Sequence, residues 1–267
     1  MSELPFRRRS DLSGLVYTSE PVSIPGLTEA RPVSLWLPPD YFKSQQNWPL
    51  AIFFDGQNLF DDAGTLAGGW HLHDILNARA SRGATVPVVL ALHHGHDRDA
   101  EMSPWPPYPG KTGQGQAVLD WLGQWLIPRA RRKLHLNTGP ALIGGSSLGG
   151  LLALYGLFYA SKTFASALVM SPALWPDSFH IFEAVMLGQT HPEARIYLDH
   201  GKKESEPGHE HIGQLLFEQS EVMAEVLNNL GFRRQKRLKW VIDPEGQHNE
   251  QSWSRRLPAA LDFLYGD

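Results

Sequence analysis

Gly145-Ser146-Ser147-Leu148-Gly149 sets a hydroxyl between two glycines in a G-x-S-x-G spacing, with an apolar run before it and an apolar helical pattern after it. A serine on a sharp strand-to-helix turn is pushed clear of the backbone, where its Oγ can attack a carbonyl carbon. Such a turn crowds the residues two before and two after the serine, and glycine at both removes the clash. Ser147 meets that condition. Ser146 does not, because Leu148 stands two residues beyond it. A helix opening near Leu148 also brings its N-terminal dipole to bear on developing negative charge. No G-x-G-x-x-G frame fits, and no Lys follows the glycines, so the turn is neither a dinucleotide fingerprint nor a phosphate loop.

A serine nucleophile needs a base, and the base needs an orienting carboxylate. In the α/β-hydrolase order, which this turn resembles, the chain runs serine, acid, histidine. Of the twelve histidines, His248 stands where the base is expected, in the polar loop after the apolar run Trp240-Val241-Ile242. The acid is expected one strand earlier, where ARIYLDHGKKESE offers Asp199, Glu204 and Glu206. Asp199 ends the strand and Glu204 lies beyond the Gly201 turn; chemistry alone does not choose between them. An oxyanion hole needs two backbone N–H groups. Leu148 supplies one. The other is expected from Gly56 or Gln57, in the loop that follows PLAIFFD, with the Asp55 carboxylate bracing it.

These residues need a scaffold, and the hydrophobic pattern supplies one. Strands are expected at 32–38, which alternates, and at 49–55 and 86–94, which are continuous and β-rich. Further strands are expected at 141–146, 165–171, 194–199 and 238–243. Helices lie between them. One carries Val118, Leu122, Trp125 and Leu126 on a face and is kinked or interrupted at Pro128. Another carries Ile212, Leu216, Met223, Val226 and Leu230, with Gly231 as its stop. The alternation predicts a mostly parallel sheet covered by helices, in a single α/β domain over residues 1–267, with about 1–30 as an extension or edge strand. The Pro- and Gly-rich stretch 103–115 reads as a long loop over the carboxyl edge, where function concentrates.

The chain has 267 residues and a formal charge of −4, with 42% hydrophobic and 19% charged residues. That balance gives no basic footprint for nucleic acid or anionic membrane. The absence of cysteine excludes thiolate nucleophiles, thiolate metal sites and disulfides. Arg7-Arg8-Arg9 is followed by no continuous apolar core, so no signal peptide is expected and the expected location is cytoplasmic. The histidine pairs at 71/73, 93/94/96 and 209/211 have spacings that can bind Zn²⁺, but the favoured expectation is no metal, with His93, His94 and His96 at the polar end of a strand. Four of nine tryptophans, at 70, 105, 175 and 253, fall in expected loops over the carboxyl edge and are candidates for stacking on an aromatic or sugar-like substrate.

Taken jointly, DGQNLFDD, GGW (68–70), RDAEMSP (98–104), GGSSLGGLLALY, SPALW (171–175), GKKE (201–204) and GQHNEQSW (246–253) resemble the putative esterase family of the α/β-hydrolase superfamily. Its relatives are the enterochelin esterases, feruloyl esterases, esterase D and the antigen 85 mycolyltransferases. The resemblance runs from about Val33 to the end. It implies an α/β-hydrolase fold and a serine esterase with Ser147 as nucleophile, His248 as base and Glu204 as acid, with Asp199 as runner-up. No cofactor is implied. R-x-x-E-x-x-P is especially similar to enterochelin esterases and implies Arg98 and Glu101 at the rim of the site. The two-domain enterochelin esterases carry an N-terminal module without counterpart here, which leaves the ester open: a siderophore or another aromatic ester. Two other readings stay on the table, acyl transfer to an alcohol as in antigen 85, and a non-catalytic hydrolase-like binding protein.

Overall fold

A computed structural model describes residues 5–63, 65, 67–205 and 208–266. Nine strands form one sheet: β1 (Phe6–Arg8), β2 (Leu15–Ser19), β3 (Val33–Leu37), β4 (Leu50–Phe53), β5 (Val88–Leu92), β6 (Ala141–Ser146), β7 (Phe164–Met170), β8 (Arg195–Gly201) and β9 (Leu238–Asp243). Their spatial order is β1-β2-β3-β5-β4-β6-β7-β8-β9. The β1–β2, β2–β3 and β3–β5 pairs are antiparallel; from β5 to β9 every pair is parallel. The parallel strands therefore all present their carboxyl ends at one edge, which is where an open α/β sheet binds ligands.

The helices are α1 (Leu72–Ser81), α2 (Arg98–Met102), α3 (Gly115–Trp121), α4 (Ile127–Lys133), α5 (Leu148–Tyr159), α6 (Pro176–Leu187), α7 (Glu210–Asn229) and α8 (Glu250–Tyr265). Here α8 packs on β7 and β8 with α1 beside it, while α5 packs on β6 and β7 and links to α2 and α6. Strands β3 to β6 are buried at every residue, so both faces of the sheet are covered. Burial on both faces is what the continuous Val-, Leu- and Ile-rich runs require.

The structure differs from the sequence pattern in three instructive places. The alternation at 32–38 suggests one wet face, yet Ser34 is buried, because its Oγ lies 2.8 Å from His93 Nε2 and the strand has β2 and β5 on its flanks. Pro128 does not bend a single helix: a π-helical turn at Leu122–Leu126 separates α3 from α4, and Pro128 sits in the first turn of α4. Its missing N–H leaves the preceding turn a carbonyl short of a partner, and the wider turn absorbs the defect. In α7 the buried face is Phe217, Ser220, Met223, Ala224 and Leu227, whereas Ile212 and Leu230 are exposed. The helix rests on β8 and β9 through its middle, and its ends project beyond them. Gly231 at φ +92° does terminate the helix region, as expected for a left-handed stop.

Among the described residues no helix is long and apolar enough to cross a membrane.

Candidate active site

Ser147 sits between β6 and α5 at φ 56° and ψ −123°, a conformation that L-residues seldom adopt. Its backbone is tied on both sides: the N–H donates to Met170 O at 3.0 Å, and the carbonyl accepts from Ala173 N at 3.0 Å. A Cβ on Gly145 would stand 2.7 Å from the Gly149 carbonyl carbon, and one on Gly149 would stand 3.0 Å from Asp55 Oδ2. The two glycines thus meet different obstacles, and only the first is the clash across the turn expected from sequence. Gly145→Ala is expected to cost ~1–3 kcal/mol of stability through backbone displacement and to slow labelling of Ser147 by a fluorophosphonate. Urea midpoints and inactivation rates measure the two effects.

His248 lies in the loop between β9 and α8. Asn249 caps α8, its side chain accepting from Ser252 N at 3.0 Å, and Gln247 N donates to Ser252 Oγ at 3.0 Å. These two bonds fix the residues on either side of His248, and the Trp253 ring packs edge-on to its imidazole at 5.1 Å. The loop that carries Glu204 leans on the same segment. Lys203 N donates to Gly246 O at 2.9 Å, and neither Gly201 nor Gly246 has space for a Cβ where the two strands end.

The structure brings Glu204 and His248 into contact: His248 Nδ1 is 2.9 Å from Glu204 Oε2. The Glu204 carboxylate is 1% exposed. Its Oε1 accepts from Gly201 N at 2.6 Å and from Ser171 Oγ at 2.5 Å. Burial opposes ionisation of Glu204, but the hydrogen bond from His248 and the neighbouring His200 outweigh it, so its carboxyl stays below the usual range. Ser147, Glu204 and His248 all line one cleft of about 820 Å³.

Asp199 is engaged elsewhere. Arg256 holds its carboxylate with Nε and Nη2 at 2.8 and 3.1 Å, and Ser171 N donates to Oδ1 at 3.1 Å. Full burial raises the Asp199 carboxyl to about 6 against the pull of that guanidinium. Glu206 lies outside the described residues. Ser171, at φ 42°, joins the two carboxylates: its Oγ donates to Glu204 and accepts from Trp253 Nε1 at 3.0 Å and Arg256 Nη2 at 2.9 Å. Sequence reasoning missed Ser171 and Arg256. The only signal was the SPALW segment at the next strand end.

On the other side of Ser147, β4 ends beside β6, and Phe54 N donates to Gly144 O at 3.0 Å. Asp55 follows in a left-handed conformation and starts a single 3-10 turn, Gly56–Asn58. The first N–H groups of a helix have no intrahelical acceptor; Leu148 holds that position in α5, and Gly56 and Gln57 hold it in the short turn. Arg98 clamps both Asp55 oxygens at 2.7 Å, and Gln57 Oε1 accepts from His94 N at 3.2 Å. Asp55 is 5% exposed, so its charge is matched by Arg98 and the loop is braced through that pair.

Three residues expected at the rim are placed differently. Glu101 is buried and paired with Arg31 at 2.5 Å, and it also accepts from Gly95 N. Its two oxygens are taken up by Arg31 and the Gly95 N–H, which hold it inside the protein. Trp70 is 2% exposed, packed against Phe53 and Trp253, and Trp253 itself is buried in α8. Both indoles belong to the core beneath the edge. Arg98 remains partly exposed but is committed to Asp55. Trp175 does line the cleft, with the Tyr108 ring 5.5 Å away.

The histidines at 71, 94 and 96 engage Asp62, the Gly95 carbonyl and Glu29 respectively. Burial pushes His93 and His200 down to about 4. A buried neutral base binds fewer protons than it does unfolded, where it titrates near 6.5. Stability therefore rises with pH between about 4 and 6.5 and is lost on acidification through that window. Each residue is expected to contribute up to ~3 kcal/mol of this loss. Denaturant unfolding at pH 7 and pH 5 measures it, and His200→Gln removes part of the difference.

The comparisons with known proteins agree with this architecture. A family model described as "Putative esterase" matches residues 25–264. The uncharacterized protein YbbA of Bacillus subtilis is 22% identical over 245 residues, 88% of this chain and 93% of that protein. An IroE-like serine hydrolase from Shewanella oneidensis superposes with a TM-score of 0.72 at 22% identity, covering 94% of this chain and 80% of the other. The siderophore hydrolase EstA from Aspergillus nidulans superposes with a TM-score of 0.73 at 18% identity, covering 99% of both chains. The two superpositions show the same mostly parallel α/β-hydrolase fold.

Proposed function

The chain belongs to the putative esterase family, an ester hydrolase by class, and on that premise we propose that it cleaves its ester through a covalent acyl-enzyme on Ser147. The observation that carries the proposal is a serine held at φ 56° on a strand-to-helix turn, sharing a cleft with a buried Glu204 whose carboxylate grips His248 Nδ1. With Nδ1 bound to Glu204, the free Nε2 of His248 is the ring nitrogen available to Ser147.

Ser147 Oγ attacks the ester carbonyl carbon, and His248 Nε2 takes the hydroxyl proton. The carbonyl oxygen becomes an anion between the N–H groups of Leu148 and Gln57 or Gly56, at the N-termini of α5 and the short turn. Collapse breaks the bond to the alcohol oxygen, which leaves with the proton from His248. Water then attacks the acyl carbon, gives its proton to His248 and releases the acid; that proton returns to Ser147. The steps balance with water alone, and no cofactor enters them. Glu204 stays ionised and stabilises the imidazolium twice per cycle, a role suited to its lowered pKa.

The substrate read from the cleft is an ester with an aromatic part, of the siderophore type or a related aryl ester, because Trp175, backed by the Tyr108 ring, offers a stacking face on its wall. The name of the Aspergillus relative, a siderophore hydrolase, points the same way. The experiment compares an aliphatic ester, ethyl butyrate, with catecholate and feruloyl esters. Trp175→Ala is expected to raise KM for the aromatic esters by ~3–10-fold, equivalent to ~0.5–1.5 kcal/mol of ring contact, and to leave the butyrate unaffected. An equal effect on both would remove the aromatic assignment.

A further inference from the structure

Beside the Glu204–His248 pair stands a second imidazole to which the steps above assign no role. His200 is 1% exposed at the end of β8, with the Phe217 ring edge-on at 5.9 Å. Its Nδ1 is 3.0 Å from Ser220 Oγ. Its Nε2 is 3.3 Å from Glu204 Oε2, the same oxygen that holds His248, an electrostatic contact rather than an aligned hydrogen bond, and no other atom partners it.

The ring has two neutral forms. With the proton on Nδ1, that N–H donates to Ser220 Oγ, and a bare Nε2 lone pair faces a carboxylate oxygen at 3.3 Å in a buried site. Two electron-rich atoms then oppose each other without water between them. With the proton on Nε2, Ser220 donates to Nδ1 and the positive end of the N–H dipole lies beside Glu204 Oε2. Ser220 Oγ can give its one proton to Nδ1 at 3.0 Å or to Leu216 O at 3.3 Å, so these contacts admit both forms, and the opposition between a bare Nε2 and the Glu204 carboxylate selects the second. A charged ring is disfavoured. His200 is buried, and of the charged groups that act on it, Glu204 attracts while His248 and Arg256 repel a second cation.

The need for such a donor follows from Glu204 itself. Its Oε1 is filled by Gly201 N and Ser171 Oγ, whereas Oε2 has only His248. A buried carboxylate with one oxygen half-satisfied tends to rotate or take up a proton. We propose that His200, held in its Nε2–H form by the facing carboxylate, is a positioning residue whose N–H dipole, 3.3 Å from Glu204 Oε2, keeps this carboxylate ionised and aimed at His248. This inference rests on the Ser147–His248–Glu204 reading and adds a residue to it.

Two independent readouts test it. In ¹⁵N-histidine-labelled protein, long-range ¹H–¹⁵N spectra are expected to show His200 neutral and protonated on Nε2, which needs no substrate. His200→Phe keeps an apolar ring against Phe217 and removes the donor. It is expected to lower both kcat for p-nitrophenyl butyrate and the rate of fluorophosphonate labelling by ~10–100-fold, as loss of supporting hydrogen bonds does at other sites. KM should hold, and the acid limb of the pH–rate profile should move to lower pH, because a loosened Glu204 stabilises the imidazolium less. His200→Gln, which can offer an amide N–H at the same place, should recover most of the loss. Should His200→Phe fold poorly, Ser220→Ala is the milder variant and is expected to shift the ring toward Nδ1–H with a partial loss of kcat. A bare Nε2 in the spectra, or folded variants with unchanged rates and pH profile, overturns the proposal. Activity surviving in Ser147→Ala would instead overturn the triad reading and leave the His200 tautomer to the spectra.

Discussion

Ser147→Ala is expected to lower kcat for any ester the wild type hydrolyses by ~10⁵-fold or more, the scale on which serine hydrolases lose turnover without their nucleophile. The folded state should survive. The Ser147 side chain contributes no hydrogen bond to the scaffold, and the strained backbone is held by Met170 O and Ala173 N, which bond to its main chain. KM should change little, because the serine acts on the reacting carbon and the cleft walls bind the rest. Ser146 is the internal control. It ends β6, is buried, and lacks the second flanking glycine, so Ser146→Ala should retain most activity. Steady-state kinetics on the two variants, with thermal unfolding to verify folding, measure the contrast.

The second large effect separates two carboxylates that the sequence could not. Glu204→Ala is expected to lower kcat by ~10³–10⁴-fold, as loss of the orienting acid does in serine hydrolases. Asp199→Ala should act on stability. It leaves the buried Arg256 guanidinium with Asp243, at 3.2 Å, as its remaining close carboxylate, so the cost should fall at or below the ~3–5 kcal/mol of breaking a buried pair; the folded fraction should keep kcat far above that of Glu204→Ala. Urea unfolding and kcat on the same samples give both axes. Small and equal kinetic losses would favour a Ser147–His248 dyad.

How legible was this in the sequence? The parallel strands were, because burial on both faces leaves continuous apolar runs such as 49–55 and 86–94. The serine turn was legible, although only Gly145 reports a steric requirement of the turn's backbone, and Gly149 instead clears Asp55. The proposed base, His248, was picked by chain order and its place after the last strand. The acid did not: Asp199 and Glu204 are both buried carboxylates at one strand end, and what distinguishes them is Arg256, 57 residues from Asp199. Long-range pairing of that kind leaves no local pattern. The same limit explains Glu101, whose partner Arg31 lies 70 residues away, and Trp70, whose burial depends on Trp253 across the fold. The helix faces were read from period alone, so α7 was assigned Ile212 and Leu230 where the sheet does not reach.

The central claim is that Ser147 is the atom-bearing nucleophile of a Glu204-supported site. The most direct test is to treat the protein with a fluorophosphonate and locate the adduct by peptide mass spectrometry. The account predicts one adduct, on Ser147, formed much more slowly in Glu204→Ala and absent from Ser147→Ala. An adduct on Ser146 or another serine, or no adduct in folded protein that still hydrolyses esters, would contradict it.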